Sequence, residues 1–459
     1  MTTYYVAPPG SGGSDAANGL TTLTPWATLA YANANTIAGD TILHLSGGTW
    51  SDQAYNFTHS ITLDVYSGAS RWIMDYDGSN GGTYFALITT SAANTSINSV
   101  EIRNNLSGSD SVDGGRGIGL SGSSTTVDDV YIHNVGSTGI IRDFGGDTIT
   151  VTNSVLEQIA QLYAGGIFAG AISAAGNSNP VDTYTVSGCQ VLEVHGEAIS
   201  AFTFHATTVC TGVTVEDNDI CGGHSAGVYL NGVNGAILRR NVVLGTTSTS
   251  YHRSTGYCGY GIGQDNESTT NSTNNATKWY LNLVAYCNPG FYVSSGVGTA
   301  ITNMNVAHNT FVDCKYSVGC VSGSSFTGAG NIFRQNASIL LTTGPAHDDG
   351  TNVPGGADWD KDENFWEGGG EHANLNDATD FSNTAWLPSK TTGWQSITAI
   401  SSIVVGDWRP TTRVLGTQFT NPDTSANWAD YEGTANFREA GGLAAAVPSS
   451  RKKWLIRRG

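Results

Sequence analysis

The stretch from Val213 to Gly323 decides the fold, because it divides into lines that repeat one pattern. The lines are VTVEDNDICGGHSAGVYLNG (213–232), AILRRNVVL (236–244) with YGIGQDNE (260–267), KWYLNLVAYCNPGFYVSSG (278–296) and MNVAHNTFVDCKYSVGCVSG (304–323). Each line holds an alternating apolar strand, an Asn, a short apolar run, a polar turn and a second strand that opens near a Gly. The Asn residues in this shared position are Asn218, Asn241, Asn282 and Asn309.

A repeat of this kind predicts a solenoid, in which one coil cannot bury its apolar face alone but stacked coils bury a continuous core. Parallel coils stack about 4.8 Å apart, so a column of Asn could bond amide to amide along the stack. The alternative is that these Asn are ordinary turn residues. The same position is assigned upstream and downstream to Asn104, Asn134, Asn153, Gly188 and Asn331.

The chain resembles right-handed parallel β-helix proteins of the pectate-lyase-like superfamily over nearly its whole length. Its start, YYVAPPGSGGSDAANGLTTLTPWATLAYANA, is similar to the N-terminal entry of such proteins, and WADYEGTANFREAGGLA is similar to their closing segment. The resemblance implies an all-β, single-stranded right-handed parallel β-helix with an N-terminal capping helix and an irregular C-terminal segment. This fold serves lyases, hydrolases, epimerases and phage tailspikes, so it does not choose an activity.

Charge and composition narrow the partners. The chain has 459 residues, 59 Gly and a formal charge of −18. Such an acidic chain does not fit nucleic acid, which needs clustered Lys and Arg. The charge also disfavours a polyanionic substrate unless a metal bridges the two. No run approaches the roughly 20 apolar residues of a membrane span.

The sequence shows no signal peptide at its start, which we interpret as an extracellular protein lacking its signal or as a virion-associated one. Seven Cys without a CxxC pair make a zinc site a poor interpretation. Buried thiols are the first interpretation of these Cys, and one or two disulfides are the alternative.

Three segments are expected along the chain. Residues 1–60 hold a strand and a capping helix over Pro25 to Ile37, with Thr24 as N-cap and Pro25 at the first helical position. Residues 61–341 form the β-helix. Residues 342–459 form an irregular segment that packs on it and ends in a basic tail, 451–459. Acidic residues between Asp348 and Glu363 are either a calcium site or a solvated loop; no cofactor is otherwise required.

The Gly-initiated strands can be aligned into columns. Their second residues are apolar and are predicted to point inward: Ile118, Ile140, Ile167, Ile199, Val228, Ile262 and Phe291. Because strand side chains alternate, the third and fifth residues should point outward. These outward columns predict a groove that binds a polysaccharide or oligosaccharide. The substrate-binding candidates are Phe168, Phe202, Tyr229, Tyr292, Asp143, Asn231, Arg253 and Tyr257. The alternative is that long loops cover the strip and make these side chains a secondary core.

The catalytic candidates are carboxylic acids and a histidine. Asp265 ends an outward strand and Glu267 follows two residues later, a spacing that suits the acid and base carboxyls of glycoside hydrolysis. Glu197, two coils upstream, could face the same pocket, and His224 could shuttle protons. The insertion 245–260 brings Arg253 and Tyr257 next to the same strand. Solvated turns are the competing interpretation of the Asp-x-Glu pair and of His224.

Three functions follow from these candidates. Hydrolysis of a neutral or cationic glycan is the first interpretation, because the predicted β-helix is rich in acidic residues and poor in basic ones. A polysaccharide lyase that uses Arg253 with His252 or Tyr257 for β-elimination is the second. The third is a phage or surface protein that binds glycan without cleaving it. No metal site is assigned to the groove.

Overall fold

The described part of a computed structural model of the chain contains three long parallel sheets and one short α-helix. The structure describes residues 1–76, 86–106, 115–142, 148–161, 170–176, 182–203, 209–245, 259–266, 276–294, 301–307, 309–312, 314 and 318–320, and the strands at 331–334, 337–339, 359–360 and 365–367. The chain visits the three sheets in turn and returns one coil further on. This is a right-handed parallel β-helix, which confirms the fold predicted from the repeat.

The three sheets are named here by their strands. Sheet A holds Thr3–Val6, Asp40–Leu45, Ile61–Tyr66, Ser96–Asn98, Thr125–Asp128, Thr148–Thr152, Thr183–Ser187, Val213–Glu216, Ile237–Arg239, Lys278–Tyr280, Asn305–Ala307, Asn331–Arg334 and Trp359–Asp360. Sheet B holds Thr49–Ser51, Trp72–Asp75, Val100–Arg103, Tyr131–His133, Val155–Ile159, Gln190–Val194, Asp219–Gly223, Val242–Leu244, Leu283–Ala285, Thr310–Val312, Ala337–Ile339 and Phe365–Glu367. Sheet C holds Tyr55–Phe57, Ala86–Thr90, Arg116–Leu120, Ile140–Arg142, Gly170–Gly176, Glu197–Thr203, Ala226–Asn231, Tyr260–Asp265, Phe291–Ser294 and Val318–Cys320.

The core lies inside the coil and runs along it. Side chains at alternate strand positions, such as Ile199, Val228 and Ile262, are buried in one continuous apolar cluster. Stacking repeats this burial in every coil, which is why a long chain can remain one body. The first complete coil spans residues 40–57, and short strands of sheets A and B recur at 359–360 and 365–367.

The helix at the N-terminal end is shorter than predicted and begins later. It spans Leu29–Asn35, and its N-cap is Thr28, whose hydroxyl accepts a hydrogen bond from the Tyr31 N–H over 3.1 Å. The prediction of Thr24 as N-cap is wrong, because the Trp26 N–H donates to the Tyr5 carbonyl and holds this segment beside the first strand. The helix buries Leu29 and Ala32 in the core.

The asparagine ladder is present at the four positions of the deciding stretch. The Nδ2 groups of Asn218, Asn241 and Asn282 each donate to the Oδ1 of the next Asn over 2.9, 3.0 and 2.9 Å, and the chain of bonds reaches Asn309. Asn309 in turn donates to the Trp279 carbonyl over 2.9 Å. All four side chains are buried, so each bond satisfies groups that lack access to water.

The other assignments to the ladder, upstream and downstream of these four residues, are wrong. Asn153 and Gly188 lie one residue earlier, in a column whose backbone is left-handed, with φ of 50° and 67°. Cys189 occupies the ladder position, since its N–H donates to Asn218 Oδ1. Two further residues form a separate short ladder at the end of sheet B, where Asn134 Nδ2 donates to Asn104 Oδ1 over 2.7 Å. Asn331 starts a strand of sheet A instead.

A histidine is buried in the aromatic end of the core. His44 stacks on Trp72 at a centroid distance of 3.7 Å, and its Nε2 shares a hydrogen bond of 2.8 Å with the Tyr55 hydroxyl. Burial lowers the pKa of His44 to about 3, although the contact of Nδ1 with the Asp64 carbonyl opposes this shift. His44 is therefore neutral in the folded protein.

In the described residues, five cysteines are buried and belong to no disulfide: Cys189, Cys210, Cys221, Cys287 and Cys314. Burial raises the pKa of the Cys189 thiol to about 12, so it stays protonated. This outcome favours the interpretation of the Cys as small apolar residues. In the described part of the chain, no helix has the length and apolar character needed to cross a membrane.

Candidate functional site

The candidate site is the outer face of four sheet C strands: Glu197–Thr203, Ala226–Asn231, Tyr260–Asp265 and Phe291–Ser294. We call it the site face. Their inward residues, including Ile199, Val228 and Phe291, belong to the core, as the column analysis predicts. The outward residues form three columns in register. They are Glu197, Ala226 and Tyr260; Ser200, Tyr229, Gly263 and Tyr292; and Phe202, Asn231, Asp265 and Ser294.

One coil upstream of this face differs from the prediction. Ile172, and not Ile167, pairs with Ile140 and Ile199, so the strand lies five residues later than expected. Ser173 takes the outward position that had been assigned to Phe168. The Ser173 and Ser200 hydroxyls lie 2.9 Å apart and are both buried, so they satisfy each other beneath the surface of this end of the face.

Three tyrosines form a row across consecutive coils. The ring of Tyr260 stacks on that of Tyr292 at 4.5 Å and 17°, and lies 6.0 Å from the ring of Tyr229. Tyr260 was not selected from the sequence, because it stands one position before the Gly that opens the aligned strand. The sequence pattern that could have found it is an aromatic residue three positions before a Gly of the outward column, here Tyr260 before Gly263.

Burial of this face differs from the predicted open groove. Phe202 is 2% exposed and Tyr229 is 5% exposed, and both pack with Ala226 and Tyr260 in a cluster separate from the main core. For Phe202 and Tyr229, the secondary-core alternative is therefore correct. Tyr260 and Tyr292 remain half-buried and keep part of their rings at the surface.

The polar column lies beside the tyrosine row. Asp265 is 6% exposed, and its Oδ1 accepts a hydrogen bond of 2.7 Å from the Asn266 N–H. Asn231 and Ser294, its neighbours in the adjacent coils, are buried as well. The column thus places a carboxyl, an amide and a hydroxyl in consecutive coils, the groups that bind sugar hydroxyls.

Glu197 and His224 do not join Asp265. Glu197 is the first residue of its strand and aligns with Ala226 and Tyr260, whereas Asp265 lies five positions further along. Five residues and two coils separate the backbones of the two carboxylic acids by roughly 19 Å. His224 precedes Ala226, and its N–H donates to the Val194 carbonyl at the same far end. The prediction of one pocket for all three residues is therefore wrong.

Several candidates lie outside the described residues: Glu267, Phe168, Asp143, Arg253 and Tyr257. The acidic segment with the suggested calcium site, Asp348 to Glu363, is likewise described only at two of its residues, in the strand Trp359–Asp360. Among the residues that are described, no group of three or more His, Cys, Asp or Glu side chains could hold a metal ion.

The arginines of the described body are engaged away from the site face. Arg239 Nε contacts Glu216 Oε2 at 2.6 Å, and Arg240 Nη2 contacts Asp217 Oδ2 at 2.7 Å, at the end of sheet A. Arg142 is buried and pairs with Leu120 and Ala174 in sheet C.

Comparison with known proteins supports the fold. No protein family model matches the sequence, and no curated protein matches it. A rhamnogalacturonan lyase structure is similar with a TM-score of 0.56 and 14% identity, covering 79% of this chain and 87% of that one. The pectate lyase Pel9A gives a TM-score of 0.48 at 15% identity and 79% coverage of both chains. The GH136 lacto-N-biosidase from Eubacterium ramulus gives 0.45 at 12% identity, covering 83% of this chain and 67% of that one.

Proposed function

We propose that this protein is a carbohydrate-active enzyme that binds a polysaccharide on the site face and hydrolyses it. The observation that carries the proposal is the position of Asp265: a carboxyl almost withdrawn from solvent, in a polar column beside a row of tyrosines. Aromatic rings suit the apolar C–H surfaces of sugars, and the polar column suits their hydroxyls. The fold is one that polysaccharide-acting proteins such as rhamnogalacturonan lyase also have.

In this proposal Asp265 is the acid–base carboxyl of a glycosidase. Such a carboxyl protonates the leaving-group oxygen and then acts as a base towards water. Glu267 is proposed as the second carboxyl. An i, i+2 pair on an extended chain has its backbone atoms about 6.6 Å apart, which is compatible with the separations used in glycoside hydrolysis.

A lyase would need a base and a cation to neutralise a uronate. Within the described residues, the arginines Arg239 and Arg240 are held by carboxylates and Arg142 is buried in the core. The acid-rich and base-poor composition of the chain supports hydrolysis over β-elimination in this proposal. We further propose that the protein acts outside the cell or as part of a virion, where it would encounter polysaccharides.

A panel of polysaccharides incubated with the purified protein tests the proposal. Hydrolysis predicts new reducing ends without ultraviolet absorbance. Reducing ends accompanied by an absorbing, unsaturated product would establish a lyase instead. Binding without any cleavage across the panel would establish a glycan-binding protein and refute the enzyme.

A further inference from the structure

The row of tyrosines depends on a glycine. Gly263 stands between Tyr229 and Tyr292 in the same column, and it leaves a gap in the row. The side chain of Tyr260 fills this gap from the start of the same strand. A Cβ added to Gly263 would lie 3.0 Å from Tyr260 Cδ2 and 3.1 Å from Tyr292 Cβ, closer than such atoms normally approach.

Tyr260 therefore connects the buried and the accessible parts of the row. On one side it packs against the cluster that contains Tyr229, which is nearly inaccessible. On the other side it stacks on Tyr292, and both of these rings are half-buried. The accessible aromatic surface of the described face thus comes from Tyr260 and Tyr292, and its position is fixed by Gly263.

Charge limits what this surface can bind. The four strands of the site face contain two carboxylic acids, Glu197 and Asp265, and no Lys, Arg or His. The whole chain carries a formal charge of −18. A polyuronate bound here would find no counter-charge on these strands, and the net negative charge of the chain would oppose its approach.

We infer that the site face selects a glycan without negative charge, and that Tyr260, seated over Gly263, is a sugar-binding residue of this face. This inference rests on the proposed function for the location of the site, but it concerns recognition and not cleavage. It distinguishes the protein from enzymes that act on polyuronates, although polyuronate lyases share its fold. Tyr260 would contact a sugar ring of the bound chain, and Gly263 acts through Tyr260 as a positioning residue.

Two matched glycine substitutions separate this role from general damage to the fold. Gly263→Val fills the space that the Tyr260 ring occupies. Gly119→Val makes the same change in the same outward column of sheet C, where an added Cβ would lie 3.5 Å from Ala86 Cβ and 3.6 Å from Thr89 Cγ2, an ordinary contact. Tyr260→Leu removes the ring while keeping an apolar side chain.

The experiment is affinity electrophoresis of the full chain through gels that contain xyloglucan, arabinoxylan, chitosan, polygalacturonate or alginate. We expect retention by a polysaccharide without negative charge and none by polygalacturonate or alginate. Tyr260→Leu and Gly263→Val should each weaken that retention about tenfold, the loss of one aromatic contact, and Gly119→Val should leave it unchanged. Melting temperatures of the variants confirm that each compared protein is folded.

Preferred retention by polygalacturonate or alginate, or no retention by any polysaccharide of the panel, overturns the inference. So does wild-type retention of folded Tyr260→Leu. If retention depends on Tyr260 but no polysaccharide is cleaved, the inference about binding stands and the proposed enzymatic activity is refuted. If Tyr260→Leu changes neither the KM nor the kcat of cleavage, the proposed enzymatic activity stands and the inference about Tyr260 is refuted.

Discussion

Asn241 donates its side-chain N–H to Asn282 Oδ1 over 3.0 Å, and the backbone N–H of Asn241 donates to the same oxygen over 3.1 Å. One carbonyl oxygen therefore satisfies two donors of the preceding coil. Asn282 also donates to the Leu238 carbonyl over 3.0 Å and to Asn309 Oδ1 over 2.9 Å. Its amide therefore connects its own coil to the preceding and to the following one. Because both side chains are buried, water cannot replace these bonds.

We predict that Asn282→Leu lowers the free energy of unfolding by about 1–3 kcal/mol, the cost of leaving buried donors unsatisfied. Urea denaturation of the two proteins measures this difference. Asn56→Leu is the matched control, because Asn56 is exposed on sheet C and water can replace its side-chain hydrogen bond from Thr89 Oγ1; such surface substitutions change stability by about 0.5 kcal/mol or less. Equal midpoints for wild type and Asn282→Leu would show that the ladder adds no stability.

A second prediction concerns the glycines that open the sheet C strands. A Cβ added to Gly227 would overlap Val243 Cγ1 and lie 2.5 Å from the carbonyl oxygen of Gly261 in the next coil. Since that oxygen belongs to the backbone, the coil must deform, and Gly227→Ala should cost about 1–3 kcal/mol. Gly119→Ala, with only ordinary contacts, is the control for thermal unfolding. If the two variants have the same melting temperature, the close approach of the coils at Gly227 does not limit the size of the side chain there.

The pH dependence of stability should report the burial of His44. Its pKa is about 3 in the folded protein and near 6.5 when unfolded, so the unfolded chain binds the proton more readily. The stability contributed by neutral His44 is therefore complete above pH about 6.5 and declines by about 1.4 kcal/mol per pH unit as pH falls towards 3. Urea midpoints of wild type and His44→Asn, measured from pH 7.5 to 4, should converge as pH falls.

His59→Asn provides the comparison for this experiment, since His59 is a half-buried histidine just after the coil that contains His44, and its substitution should not reproduce the convergence. Parallel pH curves for wild type and His44→Asn would contradict the prediction. They would indicate that His44 is no harder to protonate in the folded protein than in the unfolded chain.

The sequence predicted the fold and the inward columns because strand alternation and coil stacking leave few registers for apolar side chains. It misplaced one coil because that coil contains two similar pairs, Gly166-Ile167 and Ala171-Ile172. Only pairing with neighbouring strands decides between them, and Ile172 pairs with Ile140. Local pattern could not supply that long-range information.

The site was predicted less well, for two physical reasons. Alternation tells which face a side chain occupies but not how far along the strand it lies, so Glu197 and Asp265 were assigned to one pocket although they occupy opposite ends. Exposure depends on what covers a face, and the buried Phe202 shows that an outward side chain can be in a second apolar cluster.

The last prediction concerns Asp265. Replacing it by Asn removes the ionisable carboxyl while keeping the size of the side chain and an oxygen that can accept the Asn266 N–H. If Asp265 is the acid–base carboxyl, Asp265→Asn should retain its melting temperature and its affinity for the glycan. Its turnover should fall by about 10²–10⁴-fold, the usual contribution of general acid–base catalysis. Initial rates of reducing-end release on the polysaccharide found in the panel measure this loss.

Asp64→Asn is the matched control for this change. Asp64 Oδ1 accepts a hydrogen bond of 2.8 Å from the Val65 N–H, the same local arrangement as at Asp265, but it lies on sheet A. Asp64→Asn should therefore keep full activity. If Asp265→Asn is also fully active while an Arg253→Ala variant is inactive and the product absorbs in the ultraviolet, the chemistry is elimination. Asp265 would then be a binding residue of the site face, since a hydrogen-bonding role tolerates the amide and a proton-transfer role does not.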